Sequence, residues 1–156
     1  MKVLARNLTP FYYALYAGKE ELTDDDGYTG EGQILRQPVA FMRGNISAAR
    51  GTADLEDFGV NLNYTKTIIV DKIDCPIDEV TVLWLDYGIV ENYDTDTGYL
   101  QGDTVIYDGK IYECKAPTRG TFDASNWEAV PYNYVVVSVA KSLNHIKYAV
   151  RKVDVS

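Results

Sequence analysis

The sequence predicts an all-β protein, a small β-barrel or β-sandwich framework into which a small β-module is inserted. Several short apolar stretches alternate with a period of two, and no stretch longer than a turn or two has a helical period. Thirteen tyrosines dominate the aromatic residues, against two tryptophans and four phenylalanines. Tyrosine favours strands, because its ring packs against neighbours while its hydroxyl stays hydrated or bonded.

The framework is predicted from segments at both ends of the chain. Crowded aromatics with Pro10 favour an early strand and an extended lead-in over residues 2–17. Pro38 restricts any strand within 34–48 to an edge or to its first positions. Further strands are predicted at 61–70, 79–86, 132–142 and 146–155. The turn- and charge-rich residues 18–33 predict a loop.

Residues 87–131 differ from the rest of the chain in being rich in Tyr, Asp and Gly. The pair Asp108-Gly109 between two apolar runs is a strong two-residue hairpin signal, and it predicts strands at 104–107 and 110–114. Trp127 is expected to close the small core of this module. The chain thus divides into a framework of residues 1–86 and 132–156 and an inserted module of residues 87–131.

Composition limits the partners that the chain can have. The formal net charge of −8 disfavours a tight grip on nucleic acid by its phosphates, and it also suits solubility alone. No run approaches the length of a membrane span and no clean signal peptide is present, so we expect a product made in the cytosol with no membrane partner. Cys75 and Cys114 are expected to be free thiols, with a single bridge between them left open.

No catalytic or metal-binding pattern is visible in the sequence, so we expect a binding protein and no enzyme. The single histidine, His145, follows Asn144 at a break between strands, and a turn or interface role is expected for it. The three acids Asp24 to Asp26 lack the spaced acidic pattern of a calcium loop. No metal and no cofactor are expected.

Two groups of framework residues resemble the head-closure proteins of siphophages, which are head–tail connectors. The first group is 48–54 with 58–59, Tyr64 and 67–70, and the second is 137–144 with 148–153. The resemblance implies a homo-oligomeric ring in the virion neck that docks on the portal and adaptor complex, closes the filled head and carries the tail proteins. Packaged DNA would pass the channel without tight binding, and the protein would be synthesised in the host cytoplasm.

Residues 43–54 are predicted to be a loop at the channel of that ring. Their Gly, Asn, Ser and Thr content permits a large rearrangement, and two arginines are available for phosphate contacts. The candidate channel and DNA-retention residues are Arg43, Gly44, Asn45, Arg50 and Gly51. The same composition fits a plain surface connection equally well.

The inserted module is similar to the small chitin-binding modules of bacterial chitinases. The similarity rests on Tyr99, Gly102-Asp103, Val105, Tyr107, 108–110, Tyr112 and Trp127-Glu128. The candidate saccharide contacts are Tyr93, Tyr99, Phe122 and Trp127. Residues 115–117, Lys-Ala-Pro, replace the tryptophan pair usual in that family, so only weak glycan contact is expected. The alternative function is therefore that of a carbohydrate-binding module or an adhesin-like protein that binds cell-surface glycans.

Overall fold

A computed structural model describes residues 8–24, 27–48, 64–71 and 73–153. These residues form twelve strands and one short 3-10 turn, Ala124–Asn126, so the all-β prediction is confirmed. The strands are β1 Thr9–Ala14, β2 Tyr16–Asp24, β3 Gly27–Arg36, β4 Ala40–Ala48, β5 Lys66–Val70, β6 Val82–Trp84, β7 Glu91–Asn92, β8 Thr104–Tyr107, β9 Lys110–Cys114, β10 Trp127–Ala129, β11 Tyr134–Lys141 and β12 Ile146–Lys152.

Six of the strands close into a barrel. Of the two architectures predicted for the framework, barrel or sandwich, the structure has the barrel. The order of its strands is β1-β4-β5-β12-β11-β6, and every neighbouring pair is antiparallel. Alternate residues point inward and build one core. Its buried members are Phe11, Tyr13, Ile68, Val70, Cys75, Ile77, Leu83, Leu85, Tyr134, Val136, Ile146, Tyr148 and Val150. Closure leaves the barrel with few open strand edges.

The strand predicted at 79–86 is the shortest of the barrel, β6. Thr81 and Leu85 flank it and are fully buried, but they are outside the regular ladder. Asn133 replaces a neighbouring strand at this point: Leu85 N donates to Asn133 Oδ1 at 2.9 Å, and Asn133 Nδ2 donates to Leu85 O at 2.7 Å. The apolar pattern of 79–86 is therefore longer than strand β6, because the side-chain amide of Asn133 bonds the backbone groups of Leu85 in place of a strand.

The loop predicted at 18–33 is wrong. Strands β2 and β3 form an antiparallel hairpin, with Tyr16 opposite Arg36 at its base and Asp24 opposite Gly27 at its tip. We call this hairpin the arm. It is a separate two-stranded sheet, and its strands pair only with each other within the described residues. The two strands contain many acidic residues and glycines and few apolar residues, which is the composition from which the loop was predicted.

The module forms a separate four-stranded sheet of order β10-β9-β8-β7. Its hairpin β8–β9 has the predicted bounds, and the turn residues Asp108 and Gly109 have φ of 50° and 75°, as a two-residue turn of type I′ requires. A side chain at Gly109 would also meet Pro38, since a Cβ there would lie 2.9 Å from Pro38 Cβ. Conformation and packing therefore both require glycine at this turn.

The module and the barrel share a second buried cluster. Val90, Ile111 and Val130 of the module and its connections pack with Tyr12 and Trp84 of the barrel. Trp84 Nε1 donates to Val130 O at 2.8 Å, while Val90 N donates to the Tyr12 hydroxyl at 2.7 Å. This shared packing holds the module against the barrel wall. Independent folding of residues 87–131 stays a prediction.

The structure also bears on the predictions about the two thiols and about membrane spans. Cys75 and Cys114 are both free and buried, so the free-thiol prediction is confirmed. Within the described ranges, no helix is long and apolar enough to cross a membrane.

Candidate functional site

The predicted channel loop is wrong over residues 43–48, which belong to strand β4 in the barrel wall. Gly44 is buried opposite Thr9, and a Cβ on it would lie 2.9 Å from Ile68 Cγ2 and 3.1 Å from Val70 Cγ1. The glycine is therefore required by close packing between β4 and β5 and does not mark a flexible segment. Arg50, Gly51 and the rest of 49–54 lie outside the described residues.

Arg43 and Asn45 flank this glycine on the same strand. Arg43 is exposed, and its guanidinium carbon lies 5.3 Å from the ring centroid of exposed Phe41. Asn45 is half-buried and pairs with Ile69 of β5. Arg43 therefore offers a cation on the barrel exterior, whereas Asn45 is part of the wall. Their role at a channel stays a prediction.

The arm is anchored to the barrel at its base. Gln37 N donates to Leu15 O at 2.8 Å, and the Arg36 guanidinium donates to Val80 O. Residues 16–36 carry six acidic and two basic side chains in the sequence, a net charge of −4. An isolated two-stranded hairpin is marginally stable in water. The arm therefore combines strong acidity with a need for outside support.

A groove of about 510 Å³ lies where the arm meets the barrel. We call it the base groove. Its walls are mainly apolar, with cationic and acidic groups at the rim, and include Tyr16, Ile34, Val80, Val137, Arg36 and Arg151. Three of its apolar residues are unusually exposed for their size: Tyr16 at 46%, Ile34 at 55% and Val80 at 51%. Such a concentration of exposed apolar surface is typical of a binding site.

One edge of strand β11 opens into the base groove. Strand β6 covers this edge only at Tyr134 and Val135, and Val136 N then donates to Thr81 O at 3.1 Å. From Val137 to Lys141 no further strand pairs with this edge in the part of the chain that the structure describes. An open edge beside an apolar groove can accept another strand.

The module brings all four candidate saccharide contacts together. Tyr93 stacks on Tyr99 at 5.1 Å between centroids and meets Phe122 and Trp127 edge-on at 5.3 and 5.7 Å. Tyr107, which the sequence identified as a fold residue only, stacks on Phe122 at 3.9 Å. Tyr107 lies two residues after buried Val105 on β8, so the alternation of the strand places both side chains on the same face of the sheet.

Trp127 belongs to the core of the module and is not a surface platform. It is 3% exposed, Phe122 stacks on it, and Tyr99 meets it edge-on at 5.3 Å. Its Nε1 is buried without a hydrogen-bond partner among the described residues. Stacking on a sugar needs an open ring face, and Trp127 offers none. The more accessible aromatic of the cluster is Tyr107, at 37% exposure.

An open polar groove of about 670 Å³ lies beside this aromatic cluster. Glu91, Asn92, Asp94 and Asp103 line it together with Tyr99. Asp94 N donates to the Tyr99 hydroxyl at 2.9 Å, and Leu100 N donates to Asp103 Oδ2 at 2.9 Å, so both segments are held in place. Across the described ranges, no group of three or more His, Cys, Asp or Glu side chains is arranged to hold a metal ion.

His145 lies in the turn between β11 and β12. Its Nδ1 is 2.7 Å from Ser142 Oγ and 3.2 Å from Asn144 Oδ1. In a catalytic triad a carboxylate contacts the imidazole, whereas here the side-chain amide of Asn144 does. Leu143, in the same turn, is almost fully exposed. The arrangement is that of a hydrogen-bonded surface turn.

Comparisons with known proteins found no match for this chain among protein-family models, curated proteins or solved structures. The functional argument therefore depends on the chain's own residues and fold.

Proposed function

We propose that this chain is a virion structural protein, a head–tail connector subunit that assembles into a ring, closes the DNA-filled head and offers a docking surface to the tail. The observation that carries the proposal is a closed barrel with a two-stranded arm, whose strands pair only with each other among the described residues. A closed barrel is stable by itself, whereas a lone hairpin gains stability when a neighbour covers it. The arm is thus suited to subunit assembly.

The charge of the chain supports the same role. A connector must let DNA pass, and a net charge of −8 prevents general attraction to phosphates. The exposed guanidinium of Arg43 is a local exception that suits contact with arrested DNA. We assign the chain a binding role with no catalytic step. Its partners are further copies of itself, the portal and adaptor complex, and tail proteins.

Deletion of the gene from the phage that carries it tests the proposal. Heads are expected to fill, lose DNA and remain without tails, because the neck is not closed. Electron microscopy counts the tailless heads, and nuclease treatment measures the protected DNA. Purified chain added to these heads should restore tail attachment. Normal numbers of infectious particles from the deletion phage would contradict the proposal.

Glycan binding is the second candidate function, supported by the aromatic cluster of the module beside its polar groove. Tyr107 and Phe122 form a stacked pair with partial exposure, and Glu91, Asn92 and Asp94 line a polar groove together with Tyr99 of the same cluster. A single aromatic platform contributes a few kcal/mol at most, which corresponds to about millimolar affinity. A ring of such modules would bind a glycan surface by avidity.

A further inference from the structure

The arm and the base groove have complementary charge. Residues 16–36 have a net charge of −4, whereas residues 134–152, strands β11 and β12 with their turn, contain four basic residues and no acidic one. Lys141, Arg151 and Lys152 of this stretch are exposed, and Lys147 is buried. Arg151 lines the base groove together with Arg36, against a single acid, Glu79. An acidic strand pair is therefore attracted to this region of an otherwise acidic protein.

The tip of the arm is separated along its strands from the base groove of the same subunit. Tyr16 and Arg36 line the groove and also form the first pair of the hairpin, so the arm begins there. Its tip, between Asp24 and Gly27, lies about 25 Å further along the strands at the usual rise of about 3.3 Å per residue. Donor and acceptor surfaces thus lie at different places on one subunit.

The groove also offers the right chemistry for a strand. The open β11 edge beyond Val136 accepts main-chain hydrogen bonds from an added strand, and the groove residues Arg36 and Arg151 attract the acidic side chains of the arm. An arm of about 20 residues is comparable with one side of a standard protein–protein interface.

We infer that the arm of one subunit docks in the base groove of the next subunit and adds to its β11 edge. The inference rests on the proposed ring and names the surfaces that form it. Because the two surfaces differ, the contact is head-to-tail, and such contacts close into rings when the rotation between subunits permits. The net negative charge of the chain keeps this association weak for free subunits, so a template is needed for a stable ring.

Two complementary variants test the inference in the purified chain. The first replaces residues 20–33 by a short Gly-Ser linker, which removes most of the arm and keeps the groove residues Tyr16, Ile34 and Arg36. The second, Val80→Glu with Arg151→Glu, leaves the arm intact and blocks the groove. Sedimentation at high micromolar to millimolar concentration should show oligomers of the wild-type chain and monomers of each variant. Their mixture should form a 1:1 dimer and nothing larger, because it contains one functional arm–groove contact.

Controls separate the contact from general charge effects. Lys115→Glu changes the charge by the same amount as Arg151→Glu but on the exposed surface of the module, and it should associate like the wild type. Arg151→Glu alone should weaken association at least tenfold, and Glu20→Lys with Glu21→Lys in the same chain should restore part of it. Circular dichroism of each variant verifies the fold, and added salt should weaken wild-type association.

Three results would overturn the inference. Self-association of the armless variant at the wild-type level would place the interface elsewhere, as would equal affinities of the Arg151→Glu and Lys115→Glu chains. A wild-type chain that is monomeric at millimolar concentration would also count against the contact. The connector proposal is measured separately, in particles that lack the gene, so failure of one test is distinguishable from failure of the other.

Discussion

Substitution of Gly44 by alanine tests whether residues 43–48 are a rigid part of the barrel wall. A Cβ at this position would lie 2.9 Å from Ile68 Cγ2, 3.1 Å from Val70 Cγ1 and 3.2 Å from Ile69 O. Ile68 and Val70 are 1% and 3% exposed, and both belong to the barrel core, so neither methyl group can move without disturbing its neighbours. The new methyl group is therefore overpacked against side chains and backbone at once.

The expected loss of stability follows from this geometry. Overpacking in a well-packed core costs about 1–3 kcal/mol, which lowers the melting temperature of a chain of this size by roughly 2–12 °C. If residues 43–48 were instead a mobile loop, alanine would restrict the unfolded chain and stabilise the protein by about 0.4–1 kcal/mol. The sign of the change in unfolding free energy thus separates the two structures.

Urea unfolding followed by circular dichroism measures the change, with the slope against denaturant used to verify that the unfolded state is unaltered. Gly98→Ala is the matched control, because no atom lies within 4 Å of a Cβ there and its φ is not in the left-handed region. The control should remain within about 0.5 kcal/mol of the wild type. Equal stability of the Gly44→Ala chain and the control would refute the tight β4–β5 packing.

Three further predictions concern the module and the core. Replacing residues 92–130 by a Gly-Ser linker should leave a folded but less stable barrel, because Trp84 loses its carbonyl acceptor; an insoluble product would contradict an inserted module. Burial is the main cause that raises the pKa of Tyr148, and the neighbouring Cys75 thiol raises it further. The unfolded chain therefore loses this proton first, so the contribution of Tyr148 to stability should be constant below about pH 10 and fall above it. A Tyr148→Phe chain whose urea midpoint falls in alkali as much as that of the wild type would count against this. Trp127→Ala should lower the free energy of unfolding by about 3–5 kcal/mol, measured by urea unfolding. In a pull-down on chitin, peptidoglycan and host cell wall, little of the wild-type monomer should be retained. Tight retention that is lost in a folded Tyr107→Ala chain would favour the glycan-binding function.

The strands with a buried face were predictable from the sequence because burial leaves a pattern. The alternation at 146–155 corresponds to β12, where Ile146, Tyr148 and Val150 enter the core. The Asp108-Gly109 turn located the β8–β9 hairpin to the residue, since few other pairs adopt two successive positive φ angles. The grouping of Tyr93, Tyr99 and Phe122 was likewise expected, although the sequence did not distinguish a surface platform from a small core.

The two errors have a common cause, which is that glycine and polar residues have more than one structural use. Gly44 with its Asn and Ser neighbours has the composition of a loop, but the barrel needs the glycine for close approach of two strands. Residues 18–33 have the charge of a loop, but they pair as a separate two-stranded sheet. A local sequence pattern predicts the backbone conformation of its own segment, but it does not show which distant residues pack against that segment.

The sequence alone determined the strand content, the inserted hairpin and the acidic charge, because each depends on local backbone preference or on composition. Only the tertiary structure decided that the framework is a closed barrel, that Cys75 and Cys114 are free, and that the base of the arm forms a groove with the open edge of β11. These features depend on contacts between residues far apart in the chain. Tyr16 and Arg151, for example, line one groove although 135 positions separate them, and no local pattern encodes that proximity.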